Sequence, residues 1–173
     1  IWSRLVGSEM CIRDSDNSAG AYAPADATTS GYTSTTNNTD DADDFTIVGN
    51  GKTRAIDIAA NDSAKDVARK VNSVAGATTV FAQARTFTHL ASSTATSSNY
   101  QLKINGTSTA SFAISSTDVS DAVSKINAIF ATTGVMATAT TENKVLLSDA
   151  DGDDIIVRNA SAGTNLTVRA MKS

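Results

Sequence analysis

The sequence predicts an α+β fold: two tandem strand-strand-helix-strand-strand units, each an antiparallel sheet covered by one helix, after a disordered N-terminal segment. Three observations predict it. From residue 45 onward the chain repeats itself at an offset of 55, and self-similarity at a fixed period marks a module written more than once. Each copy carries an apolar stripe of helical period. Around each stripe, short runs alternate apolar and polar residues beside an Asn-Gly pair, a strong short-range hairpin signal.

The helices carry the repeat most clearly. Ala64, Val67, Ala68, Val71, Val74 and Ala75 recur as Val119, Ala122, Val123, Ile126, Ile129 and Phe130. Both sets follow i, i+3, i+4, i+7, i+10, i+11, which is one face of an α-helix. The opposite faces carry Lys65, Asp66, Arg69 and Lys70 in one copy, and Ser120, Asp121, Ser124 and Lys125 in the other. Ser63 and Asp118 are good N-caps. Asp66 and Asp121, three positions on, can reach back to a free backbone N–H and favour the positive end of the helix dipole. Gly76 and Gly134 are expected to end the two helices.

Strands flank each helix. Upstream of the first lie Phe45–Val48, the turn Gly49-Asn50-Gly51, and Ala55–Ile58. Upstream of the second lie Tyr100–Ile104, Asn105-Gly106, and Ser111–Ile114. Downstream, Val80–Ala84 aligns with Val135–Ala139, and further strands are expected near Thr88–Ala91 and Lys144–Leu147. Ile155–Val157 and Leu166–Val168 read as two more. The domain reading is a first repeat over 45–92, and a second repeat with extra strands over 99–173. Phe81, Phe112 and Phe130 read as core positions.

Composition narrows function. Aromatic residues make up 5% of the 173, and Ser and Thr about a quarter. Such a chain builds a thin core of Ala, Val, Ile and Leu rather than a deep pocket. The net charge of −4 gives no basic footprint for nucleic acid. No apolar run approaches the roughly 20 residues of a membrane-spanning helix. One Cys and one His exclude a disulfide framework, a Cys-based zinc site and a His cluster.

The N-terminal stretches differ from the rest. Residues 1–15 hold the only Trp (Trp2) and the only Cys (Cys11). Leu5–Asp14 resembles the in-frame translation of a sequencing-library adapter, so 1–15 is set aside as foreign. Residues 16–44 contain six Asp, no basic residue and the only Pro, with neither helical nor strand period. They read as an acidic, Ser/Thr-rich linker that cannot bury enough apolar area to offset its ordering entropy.

No residue is assigned a catalytic, cofactor-binding or metal-binding role. His89 lacks an adjacent nucleophile–base pattern and reads as a strand residue. The Asp40–Asp44 cluster reads as solvated chain. Asp149–Asp154 starts like a calcium loop, but its Gly falls fourth and Ala160 stands where a closing Glu is needed. It reads as a polar hairpin loop. Asn105-Gly106-Thr107 and Asn165-Leu166-Thr167 fit the Asn-glycosylation pattern, which composition alone explains. Asn72 and Asn127, at matching places near the helix ends, are expected to bond nearby backbone and fix the helix-to-strand turn.

The repeated unit resembles the flagellin hook IN motif. The resemblance rests on the Asn-Gly hairpins, on Lys70-Val71-Asn72 and Lys125-Ile126-Asn127, and on Val80-Phe81-Ala82-Gln83-Ala84 and Val135-Met136-Ala137-Thr138-Ala139. It covers about 45–171. Gly163–Lys172 is also similar to flagellin outer-domain sequence. The resemblance implies an exposed outer-domain fragment of a bacterial flagellin, cut at both ends, without the terminal helices that build the filament core. It implies a non-enzymatic, extracellular, structural part of the flagellum, contributing to filament surface and motility. It needs no cofactor, its partners are other flagellin subunits and O-linked glycans, and it binds neither nucleic acid nor membrane. The alternatives are a segment of the filament-cap protein, hook-associated protein 2, or an adhesin-like surface-binding module. An enzyme embedded in such an outer domain lacks support, since no His-Glu-x-x-His pattern exists.

Overall fold

The computed structural model describes residues 10–12, 44–161 and 166–170. The remainder of the 1–15 stretch, the linker before Asp44, Asp40–Asp43, Gly163–Asn165 and Met171–Lys172 lie outside the described residues.

In chain order the elements are β1 (Met10–Ile12), β2 (Phe45–Gly49), β3 (Lys52–Ile56), α1 (Ala64–Ser73), α2 (Ala75–Thr78), β4 (Ala82–Ala84), β5 (Thr86–Ser92) and β6 (Ser98–Tyr100). Then follow β7 (Leu102–Ile104), β8 (Thr107–Ser108), β9 (Phe112–Ile114), α3 (Ser120–Asn127), α4 (Phe130–Thr133), β10 (Val135–Ala139), β11 (Val145–Asp149), β12 (Val157–Asn159) and β13 (Leu166–Ala170). The architecture is α+β, with short helices laid against several small sheets.

The two Asn-Gly turns form as expected. Asn50 and Gly51 have φ of 48° and 67°, and Asn105 and Gly106 have 45° and 84°. Two consecutive left-handed residues make the turn whose twist matches paired strands, which is why Asn-Gly stands there. The flanking registers are the same: Gly49 faces Lys52, and Ile104 faces Thr107.

The helices start differently. α1 has a complete capping box: Ser63 Oγ accepts from Asp66 N at 3.2 Å, and Asp66 Oδ2 accepts from Ser63 N at 3.2 Å. α3 lacks it, and its cap residue, Val119, has no side-chain bond. Asp118 Oδ1 instead accepts from Ser120 N, while Asp121 Oδ2 reaches Ala113 N at 2.8 Å and ties the helix to β9.

Each expected stripe spans two helices. α1 gives way to α2 through Val74, at φ −102° and ψ 2°. α3 gives way to α4 near Ile129, at φ −107° and ψ 8°. Past this break Phe130 is 44% exposed, a correction to its reading as core, while its counterpart Ala75 past the same break is buried. Phe81 is likewise 65% exposed, because Ala82 and Ala84 take the inward side of β4. Phe112 is buried as expected. Gly76 lies inside α2 and ends nothing. The left-handed C-cap of the first copy is Thr79 (φ 57°), and that of the second is Gly134 (φ 72°).

Two cores result. Ile47, Ile56, Ile58, Ala64, Val67, Ala68, Val71, Ala82 and Ala84 form the smaller. The larger gathers Tyr100, Phe112, Ile126, Val135, Leu147, Leu166 and others, and Leu90 belongs to it. Leu90 is there because β5 does not close a first-copy sheet. The four-stranded sheet runs β10-β11-β5-β13, with Leu90 opposite both Val145 and Val168. Only Arg85 separates β4 from β5, too short for a hairpin return, whereas five residues separate β10 from β11. At the exit of β11, buried Gly152 abuts Ala84, where any Cβ would collide. Gly152 O accepts from Lys65 N at 3.1 Å, and Lys65 Nζ pairs with Asp153 at 2.7 Å.

Thr79 is a β-branched residue held where L-residues are strained. Thr79→Gly is therefore expected to stabilise the chain by about 0.5–1 kcal/mol, and Gly134→Thr to destabilise it by at least as much. Urea unfolding midpoints check both signs.

Candidate functional site

The most elaborated local arrangement is the corner where helix turns into strand, and it occurs twice. Asn72 Nδ2 donates to Ala82 O and its Oδ1 accepts from Ala82 N, both at 2.9 Å. Asn127 treats Ala137 identically, at 2.9 and 2.8 Å. A carboxamide carries donor and acceptor in one plane, so it satisfies one residue of an extended strand as a neighbouring strand would. The two asparagines thus bond backbone at the turn, as their matched positions predict.

A second pair completes the corner. Thr78 Oγ1 donates to Val74 O at 3.1 Å and accepts from Val80 N at 3.3 Å. Thr133 Oγ1 donates to Ile129 O at 3.1 Å and accepts from Val135 N at 3.2 Å. Thr79 N and Gly134 N close the same turn onto Ala75 O and Phe130 O. Sequence reasoning missed these threonines, although Thr78 and Thr133 recur at the offset of 55 that aligns the stripes.

Asn105 also works within the fold. Its Oδ1 accepts from Ile156 N at 2.8 Å, and its Nδ2 donates to Thr133 O at 3.3 Å. A glycan on that nitrogen would displace the second bond. Asn165, the other pattern match, lies outside the described residues.

In the acidic loop, Asp149 is 4% exposed, and its Oδ1 accepts from Asp151 N at 2.9 Å and Asp153 N at 3.2 Å. The carboxylate folds the loop around itself. Lys65 Nζ stands 2.7 Å from Asp153 and 4.0 Å from Asp151, and these two carboxylates hold its ammonium above the ordinary pKa. Among the described residues, no three His, Cys, Asp or Glu are grouped to hold a metal ion.

His89 is half-buried on β5, in register with Leu146 on one side and Arg169 on the other. Burial lowers its pKa, and the nearby Lys144 ammonium adds to the effect, while Glu142 opposes it. No family model matches the chain, and no curated protein matches it.

Asn127→Ala is expected to cost about 1–2 kcal/mol, the net worth of two part-buried hydrogen bonds. Hydrogen exchange should accelerate at the Ala137 amide before it does at Leu147. The lowered pKa of His89 sets a second expectation. Unfolded imidazole takes its proton near 6.5, and the folded one only at lower pH. Stability is then full above that value and falls as pH drops through the folded value. His89→Gln should flatten this part of a stability–pH profile.

Proposed function

We propose that this chain is a structural, non-catalytic segment of the exposed outer domain of a bacterial flagellin, working outside the cell on the flagellar filament. The observation that carries the reading is the doubled corner. Asn72 clamps Ala82 and Asn127 clamps Ala137, and these asparagines end the two Lys-[Val/Ile]-Asn elements on which the resemblance to the IN motif rests. A bidentate asparagine between helix end and strand gives that motif a physical reason. The finer architecture, two tandem units of one design, belongs to the same reading. It is supported by the two separate cores and the matching turns.

The mechanism is geometric. Small helix-over-sheet modules with polar outer surfaces stand away from a filament core built by other parts of the polypeptide. Neighbouring flagellin subunits and O-linked glycans are the expected partners. The adhesin-like alternative would need the exposed Phe81, Phe130, Met136 and Val48 to join into one contiguous apolar patch, since singly exposed apolar side chains are ordinary. In electron microscopy, the full-length chain encoded at the native locus should polymerise into filaments, and the present 173-residue chain should not. Filaments from the short chain, or a full-length chain that binds glycans without polymerising, would overturn the structural reading.

A further inference from the structure

Along an extended strand, the N–H and C=O of one residue point to one edge and those of the next residue to the other. The Asn clamps therefore fix which edge of each strand is already satisfied. Ala137 turns its backbone groups to Asn127, so Met136 and Thr138 turn theirs to β11, opposite Ser148 and Leu146. Ala82 turns its groups to Asn72, so Gln83 presents its own to the outer edge of β4. In the second copy that outer edge is filled by the next strand in sequence. In the first copy the next strand is β5, which is committed to β11 and β13. β4 is left with an outer edge that its own repeat cannot fill.

β1 occupies that edge. It runs parallel to β4, with Met10 opposite Ala82, Cys11 opposite Gln83 and Ile12 opposite Ala84. We infer that the outer edge of β4 is a strand-acceptor site, filled by an extended segment of the same polypeptide lying N-terminal to β2. The occupant is the chain itself for two reasons. A parallel strand needs a connection of a dozen residues or more, and 32 separate β1 from β2. A tethered strand also meets the edge at an effective concentration in the millimolar range, above that of a second copy in ordinary solution. Strand addition is carried mainly by main-chain hydrogen bonds. Main-chain pairing asks little of side-chain identity, so even the adapter-like stretch can seat there. The inference stands apart from the flagellar reading, because it uses only the edge accounting of β4.

The register supplies the test. Paired Cα atoms on neighbouring strands stand about 5 Å apart, within the range a disulfide spans, and Cys11 is the only cysteine. The full chain carrying Gln83→Cys should oxidise to an intramolecular disulfide, and one carrying Thr140→Cys should not. Hydrogen exchange gives a second readout. Ile12→Pro, which deletes the N–H that meets the Gln83 carbonyl in this parallel register, should accelerate exchange of the Gln83 amide at least tenfold and leave the Ala82 amide, held by Asn72, unchanged. A disulfide-linked dimer with Gln83→Cys would make a second copy the occupant and overturn the inference. So would no disulfide at all, or a Gln83 amide that exchanges equally fast in both chains.

Discussion

Two asparagine side chains, each closing one edge of a short strand, set the geometry on which the rest depends. A strand of three to five residues has few ladder bonds, and its helix-facing edge would otherwise offer the backbone only water. Asn72 and Asn127 replace a missing strand there at 2.8–2.9 Å. Both residues lie on the exposed side of their helices, and each part-buried bond pair is worth about 1–2 kcal/mol. Their further contribution is register. A slip of one residue would turn Ala82 and Ala84, or Val135 and Ala137, out of the core and turn Gln83 or Met136 in.

The corner before each clamp makes that register reachable. One left-handed residue, Thr79 or Gly134, follows each short helix, and the threonine before it donates to the carbonyl four residues back and accepts the N–H two residues on. The second copy places glycine at the left-handed position and the first places threonine. The same geometry is thus held without strain in one copy and with strain in the other. Gly49 shows a further constraint: its backbone passes so close to Thr78 that a Cβ would collide with the carbonyl oxygen. The first hairpin is thereby seated against α2.

Much of this was legible in the sequence because it depends on local chemistry. Asn-Gly dictates its own turn, Ser63 with Asp66 dictates its cap, and the stripe Ala64–Val71 dictates a buried face. The roles of Asn72 and Asn127 followed from their matched positions. What escaped depends on three-dimensional accounting. The departure of β5 into the other sheet turns on a single residue, Arg85, being too short a loop. Phe130 is exposed while its counterpart Ala75 is buried after the same break, a difference that a helical wheel, which treats the two alike, cannot supply. Asp121 matches Asp66 in spacing, yet its partner is a strand N–H, a choice that only the placement of β9 decides. Gly76 looks like a stop signal, although the left-handed turn comes three residues later at Thr79.

The two cores differ in what holds them. The larger contains Tyr100, Phe112 and several leucines and isoleucines with almost no exposure, roofed by four strands in continuous register. The smaller rests on Ala64, Ala68, Ala82 and Ala84 with a few valines and isoleucines. Alanine removes little apolar surface from water, at roughly 25 cal/mol per Å², so each of its helix and strand contacts contributes less. The smaller core also depends on pieces from elsewhere: Gly152 and Asp153 against the start of α1, and a strand on the outer edge of β4. Cooperative units of low contact density open first. The first module is therefore the softer of the two. It is held in shape as much by the chain before and after it as by its own interior, and this follows directly from β5 having been given to the neighbouring sheet.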